Sequence, residues 1–258
     1  VFASGGALID AFEAQLDDSG PSRPEDAHLR RLERVFTGST DGWRLSFADR
    51  APLSADTVIL ATGTRYRKLG VPGEVDGLGQ CVSQSATADG ERFDGKTVAV
   101  VGGGDAGFEN ALRLTEHDCK VWMLLRNERF EARDSFIERV QANPRIEFYP
   151  FPTTVTEIQP DAGAEGQCRL RLDVAGHPKT LDVACLFVRI GVDPVTPQVE
   201  PAIELQDGFV IVDRHQQTSA DALFAAGDVT NCVLRSVATA VGTGATAAKA
   251  AALHLGRL

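Results

Sequence analysis

The chain of 258 residues lacks any long apolar run. Its longest uncharged segment is the 13 residues from Ser236 to Ala248, rich in Gly, Ala and Thr. A helix that crosses a bilayer needs about 18 or more apolar residues, so no membrane span is expected. An excess of cations is missing as well: 26 Lys+Arg stand against 36 Asp+Glu, for a formal net charge of −10. A nucleic-acid surface needs clustered Lys and Arg to displace counterions from phosphate, and this balance argues against one. Cysteine is sparse. Cys81, Cys119, Cys168, Cys185 and Cys232 are odd in number and far apart, unlike a disulfide framework or a zinc site with ligands two to four residues apart. No charged segment followed by an apolar stretch opens the chain, so no secretory leader is read and a reducing cytoplasm is the expected location. The first residue is Val1 rather than Met, which hints that something precedes it.

What is present suits a well-cored protein. Hydrophobic residues make up 43% of the chain, and at about 150 residues per domain the length points to two domains. Buried parallel strands read as short apolar runs because helices cover both faces of their sheet. Such runs occur at Thr57 to Ala61, Thr97 to Val101, Val121 to Leu125, Val183 to Val188 and Leu223 to Ala226. Between the second and third, Phe108, Ala111, Leu112 and Thr115 recur at helical spacing, which predicts a strand-helix-strand unit. Trp43, Leu45 and Phe47 alternate, as do Leu170, Leu172 and Val174, the period of antiparallel hairpin strands. Each alternating segment leads into an apolar strand that ends in glycine, at Gly63 and at Gly191, so one design can be present twice. Ahead of the first copy, Ala7 to Leu16 reads as a helix and Asp17 to Arg34 as a charged, partly disordered stretch. Pro72-Gly73 reads as the crossing between the two copies.

The sharpest motif is Gly102-Gly103-Gly104-Asp105-Ala106-Gly107. Glycines at its first, third and sixth positions allow a tight turn, close approach of a pyrophosphate and close helix packing. The helix that follows offers free N–H groups to phosphate. The motif lies between a predicted strand and a predicted helix, the context it requires; the competing reading is a glycine turn that only packs. About 20 residues on, the ribose-reading position falls in Leu124-Leu125-Arg126-Asn127-Glu128-Arg129. An acid there favours NAD, whereas Arg favours the 2′-phosphate of NADP. Arg126 leans to NADP and Glu128 obscures the choice. Arg129 and Arg133 fit binding and a solvated loop equally well. Near the end, Gly227-Asp228 follows a strand and precedes Arg235, Ser236 and a small-residue helix. Asp228 can bind a sugar or ribityl hydroxyl, or simply cap a helix.

Taken together, Ala61-Thr62-Gly63, the glycine fingerprint, Phe224-Ala-Ala-Gly227-Asp228-Val229 and the run from Arg235 to Ala245 resemble the thioredoxin reductases, a class of pyridine nucleotide-disulfide oxidoreductase, in order and spacing. The resemblance covers nearly the whole chain. It implies an α/β fold of two Rossmann-like domains with antiparallel β flaps. An FAD-binding-type domain at 1–66 and 199–258 would hold an inserted NAD(P)-binding domain at 67–198. It places Thr62, Gly63, Gly227, Asp228, Arg235 and Ser236 at FAD, with Ser236 where the family usually has Gln. Gly102 to Gly107 and Arg126 would sit at NADPH or NADH. It also implies rotation of the inserted domain on linkers near Arg67 to Gly70 and Asp193 to Val199, and a possible homodimer.

Three departures qualify the resemblance. The family's Cys-Ala-Thr-Cys-Asp is matched here by Ser85-Ala-Thr-Ala88-Asp89. Disulfide exchange needs an attacking thiolate and a resolving thiol, and Ser85 and Ala88 supply neither. Cys81 is the nearest thiol and has no close second thiol in sequence. Asp89, the family's proton donor, is retained, with a turn or cap role equally open to it. Second, only Arg126 survives of the family's arginine cluster for the 2′-phosphate. Third, the family's opening FAD glycine motif is not in this sequence, so the first domain is expected to be incomplete at its N-terminus and FAD binding to depend on what precedes Val1. Two functions follow as expectations: a flavoprotein oxidoreductase passing hydride from NAD(P)H through FAD to a non-disulfide acceptor that the sequence does not identify, or a nucleotide-binding module without turnover.

Overall fold

The computed structural model describes residues 5–19, 28–36, 41–161 and 167–257. In chain order the elements begin with α1 (Gly5–Ser19), β1 (Leu29–Phe36), β2 (Asp41–Phe47), β3 (Leu53–Ala55), β4 (Val58–Leu60), β5 (Thr64–Tyr66), α2 (Glu74–Gly77), β6 (Val82–Ser83) and α3 (Ala86–Asp89). They continue through β7 (Thr97–Val101), α4 (Asp105–Glu116), β8 (Lys120–Leu124), α5 (Asp134–Gln141), β9 (Ile146–Phe148), β10 (Thr153–Gln159), β11 (Cys168–Val174) and β12 (His177–Val183). The last are β13 (Leu186–Val188), β14 (Val192–Pro194), β15 (Gln198–Glu200), β16 (Leu205–Gln206), β17 (Phe209–Val210), β18 (Leu223–Ala225) and α6 (Val237–His254). No helix among the described residues is long and apolar enough to cross a membrane. Of the stretch Asp17 to Arg34, residues 20–27 lie outside the described residues, and the remainder falls in α1 and in the approach to and body of β1.

The chain divides into two compact units, Val1–Gly63 with Thr196–Leu258, and Thr64–Val195. These divisions fall three residues earlier than the 66/67 and 198/199 boundaries read from sequence. The reason is pairing: β5 forms an antiparallel pair with β14 inside the second unit, while β15 pairs with β1 in the first. The crossing expected at Pro72-Gly73 is therefore misplaced. Gly73 lies within the second unit at φ +80, where a Cβ would strike the Ile158 carbonyl. Next to it the buried Glu74 carboxylate accepts from the N–H groups of Leu69 (2.9 Å) and Gly70 (2.8 Å).

In the second unit five parallel strands run in the order β6-β13-β7-β8-β9. From β7 the chain steps outward to β8 and β9, then returns to place β13 on β7's other side. That reversal between β7 and β13 is a topological switch point, where a crevice opens beyond the carboxyl ends of the strands. Val98 to Val101 are buried, as a strand covered on both faces must be. One face packs on α4 through Phe108, Ala111 and Leu114. The other packs on an antiparallel flap of β10-β11-β12 through Leu170, Leu172 and Ile158.

In the first unit, β1, β2 and β3 form an antiparallel meander with β15 at its edge, and β18 pairs in parallel with β4. Its core gathers Leu32, Trp43, Leu60, Val199, Val210 and Leu223. Trp43 is buried and its indole N–H donates to the Asp221 carbonyl at 3.3 Å. Ala247 and Ala251 of α6 pack on Phe224 and Ala226. Each unit thus carries a three-stranded meander that feeds a parallel strand ending in a left-handed glycine, Gly63 (φ +64) after β4 and Gly191 (φ +103) after β13.

Candidate functional site

The site grows from the end of β7. Gly102 takes φ +139, a conformation open to glycine, and a Cβ there would strike the Arg189 carbonyl. A Cβ on Gly107 would strike the Gly102 carbonyl, so α4 starts in close contact with the turn. Gly103 and Gly104 differ. Nothing approaches a Cβ on Gly104 within 4 Å, and only the Leu125 side chain approaches one on Gly103, at 3.7 Å. Their faces are open to a ligand. Gly104 occupies the N-cap of α4 with no capping side chain, and while the N–H groups of Gly107 and Phe108 donate to its carbonyl (3.0 and 3.2 Å), those of Asp105 and Ala106 and the positive dipole end remain for an anion.

The segment after β8 folds back over this turn. The N–H groups of Glu131 and Ala132 donate to the Gly103 carbonyl (2.9 and 3.1 Å). Arg133 donates to the Asp105 carboxylate through its backbone N–H (2.8 Å) and Nε (2.7 Å). Phe130, stacked on Phe148 with centroids 5.3 Å apart and set edge-on to Phe108 at 5.3 Å, anchors the fold-back. The Arg133 pairing answers the question the sequence left open. Asp105 would otherwise repel an anion at the helix terminus, and Arg133 engages its carboxylate.

A cavity of about 690 Å³ opens above the turn, lined by Gly102 to Ala106, Arg126, Asn127, Arg129, Glu131, Thr153 to Val155, Arg67 to Leu69 and Arg189 to Gly191. Every one of these residues belongs to the second unit. Arg126 and Arg129 line it with exposed side chains, whereas Glu128 does not. The lining holds Arg67, Lys68, Arg126, Arg129 and Arg189 against Asp105 and Glu131, a cationic pocket in a protein of net charge −10. The volume, the open glycine faces and the cations fit a dinucleotide diphosphate. Sequence reasoning missed Arg67, Lys68 and Arg189. A usable signal existed for Arg189, which follows an apolar strand directly, at the carboxyl end where α/β ligands bind.

Ser85, Ala88 and Asp89 form a tight local structure. Ser85 caps α3 by accepting from the Ala88 N–H at 3.3 Å. Ser83 Oγ donates to Asp89 Oδ2 at 2.7 Å, and Arg92 lies 3.5 Å from the other oxygen. The buried Asn110 of α4, also missed, accepts from the Ala86 N–H (2.7 Å) and donates to the Ala106 carbonyl (2.8 Å). It ties this segment to the glycine helix.

The fold also brings together Cys81 and Cys168, 87 residues apart, a proximity that spacing could not reveal. A hydrogen bond from Cys168 draws the Cys81 thiol below its ordinary pKa, and the same bond, with burial, pushes Cys168 up. Burial pushes Cys119 and Cys185 up too. All five cysteines are free, and Cys232 alone is not buried. Among the described residues no group of three or more His, Cys, Asp or Glu side chains could hold a metal ion.

In the first unit, Gly63 and Asp228 follow neighbouring parallel strands, with Ala225 paired to Leu60. Nothing approaches a Cβ on Gly63 within 4 Å. Thr62 precedes it at the same strand end. The half-buried Asp228 carboxylate has no partner among the described residues. Other groups there are already engaged: the Gly227 N–H donates to Thr243 Oγ1 at 3.0 Å, Ser236 caps α6, and the Arg235 guanidinium lies 4.1 Å above the Phe209 ring. The fit to a flavin nucleotide is thus confined to Gly63 and Asp228.

A strand, an open glycine turn and a helix facing a cationic crevice define a nucleotide-binding α/β protein, and comparison specifies the family. Residues 28–244 match the model for pyridine nucleotide-disulphide oxidoreductases, and the chain belongs to that family. Thioredoxin reductases are among its relatives. It is 42% identical over 195 residues to that of Mycolicibacterium smegmatis (75% of this chain, 62% of the relative) and 37% identical over 206 residues to that of Treponema pallidum (80% and 66%). The chain therefore spans less than two thirds of these relatives' length. Among solved structures, thioredoxin reductase from Lactococcus lactis matches with a TM-score of 0.74 at 28% identity (90% of this chain, 75% of that one), and the T. acidophilum enzyme with 0.74 at 26% (95% and 79%). The mixed α/β architecture is that of the thioredoxin reductases.

Proposed function

We propose that the chain acts in an NAD(P)H-dependent flavin oxidoreductase of the thioredoxin reductase type, whose electron acceptor is not a protein disulfide. The observation that carries this reading is the cationic cavity over the Gly102–Gly107 turn, with Gly103 and Gly104 open toward it. In this reading the second unit is the NAD(P)-binding domain and the first is the FAD-binding-type domain. When bound, the pyridine nucleotide supplies hydride and FAD supplies a two-electron carrier. The protein's part is to bind, orient and exclude water. Gly103 and Gly104 admit a diphosphate to the backbone, Asp105 and Ala106 present the helix terminus, and Arg126 with Arg129 receives the adenosine end, favouring NADPH over NADH. Gly63 and the Asp228 carboxylate suit a hydroxyl-bearing chain, with Thr62, Gly227, Arg235 and Ser236 around them. Asp89, held by Ser83, is the candidate group for holding a proton in the segment 85–89.

Thiol chemistry bears on the acceptor. The sequence contains no Cys-x-x-Cys pair, the Ser85 hydroxyl caps a helix, and Cys81 and Cys168 are 8% and 0% exposed. A protein disulfide needs an accessible thiolate to attack it. The engagement of Gly227, Ser236 and Arg235 by protein groups favours a second reading, a nucleotide-binding module without turnover. Anaerobic spectroscopy separates the two. A yellow protein bleached by NADPH or NADH supports the oxidoreductase. A protein that stays colourless with added FAD and oxidises neither nucleotide overturns it.

A further inference from the structure

The cations around the cavity are not equivalent. Arg67 forks onto Asp193, with Nε and Nη2 at 3.0 and 2.9 Å, and Arg133 onto Asp105. Arg189 has no carboxylate partner among the described residues. Its Nη1 donates to the Gln84 carbonyl at 2.8 Å, its guanidinium lies 4.7 Å from the Tyr66 ring centroid, and its Nε is buried without any acceptor. A half-buried guanidinium held by a ring and one carbonyl is pre-positioned but electrostatically uncompensated. Taking a charge out of water without a counter-charge is costly, and the cavity it lines is where an anion would restore the balance.

Topology says which anion. Arg189 directly follows β13, its N–H donating to the Val101 carbonyl at 2.8 Å. Arg126 follows β8, on the opposite side of β7. The two arginines therefore follow the two strands that neighbour β7, one on each side of the glycine turn, and those strands lie about 10 Å apart at the usual strand spacing. In this class of site the end of the strand after the glycine helix reads the adenosine ribose. A ligand with its adenosine at β8 and its first phosphate on the turn must extend toward β13.

We infer that Arg189 binds the dinucleotide on its nicotinamide side, pairing with the phosphate distal to adenosine, and so contributes equally to NADH and NADPH. The inference rests on the reading of this cavity as a dinucleotide site. A charge-assisted hydrogen bond of this kind is worth about tenfold or more in affinity.

Titration of the purified chain with NADPH, NADH, ADP-ribose and 2′,5′-ADP tests it, since the last lacks the distal phosphate. Arg189→Leu is expected to weaken NADPH, NADH and ADP-ribose by about tenfold and to leave 2′,5′-ADP within about twofold, with Arg189→Lys recovering part of the loss. Arg126→Leu should do the reverse, weakening NADPH and 2′,5′-ADP while sparing NADH. Thermal melts check that each variant folds, and Arg189→Gln replaces the leucine variant if that one does not. Unchanged ADP-ribose binding, or an equal loss for all four ligands, would overturn the inference while leaving the dinucleotide reading intact. A wild-type chain that binds none of the four overturns the reading itself, and the inference with it.

Discussion

Both units end a parallel strand in a glycine turn ahead of a helix, and they surround that turn differently. In the second unit β7 has a strand on each side, and both neighbours deliver an arginine at their carboxyl ends, Arg189 after β13 and Arg126 after β8. The turn lines a cavity. In the first unit β18 pairs with β4 alone among the described strands, and the turn's leading N–H is consumed by Thr243. Apolar side chains are also exposed there, including Val233, Leu234, Val237 and Val241 around the start of α6. A glycine turn is therefore not a phosphate site by itself. It becomes one when its amides are left unsatisfied and flanking strands bring charge to the same rim.

The sharpest way to break this comparison is to put the same methyl group into both turns. Gly102→Ala meets the Arg189 carbonyl at a backbone angle alanine rarely adopts, and should cost about 3 kcal/mol of stability and abolish nucleotide binding. Gly227→Ala adopts φ +72 with nothing nearer to its Cβ than Ala240 at 3.6 Å and should cost only about 1 kcal/mol. Chemical denaturation of both variants measures the gap, and equal losses would contradict the account. Next in size is Gly104→Val, which has room in the fold but covers the open amide face. Its melting temperature should match the wild type while NADPH affinity falls by more than about tenfold.

A smaller effect sharpens the charge argument. Arg126→Ser should lower the preference for NADPH over NADH by up to about tenfold. Arg133→Ala should leave that preference alone, because Arg133 is committed to Asp105. The smallest concerns thiols. Cys119, Cys168 and Cys185 of the second unit are held above their ordinary pKa. The stability they contribute is present below about pH 8.5, the ordinary thiol value, and is lost as pH rises beyond it and only the unfolded chain ionises. Cys81, drawn the other way, opposes part of this. Replacing Cys185 with Ala should flatten the loss of stability between pH 8 and 10 by up to about 1.4 kcal/mol per pH unit, and an unchanged slope would count against it. A thiol reagent should label Cys232 of the first unit first.

Much of this was legible in the residues. The apolar run before Gly102 and the spacing of Phe108, Ala111 and Leu112 announced β7 and α4, because a covered strand and a one-faced helix impose those periods. The alternation of Leu170 and Leu172 announced the flap. What escaped depends on strand order, which local sequence does not encode. Arg189 enters the site because β13 returns beside β7, and Cys168 reaches Cys81 because the flap packs on that sheet. Pro72-Gly73 misled for a related reason: its punctuation serves a turn packed against Ile158 rather than a boundary. Arg133 stayed ambiguous until its partner, 28 residues earlier, was in view.

Hydrogen exchange of the full chain with and without saturating NADPH tests the central claim most directly. The account predicts slowed exchange at the amides from Gly103 to Phe108 and in the segments around Arg126 and Arg189, with the Gly227 turn unchanged. Nucleotide-dependent protection elsewhere with none at the Gly102–Gly107 turn, or no protection at all, would contradict it.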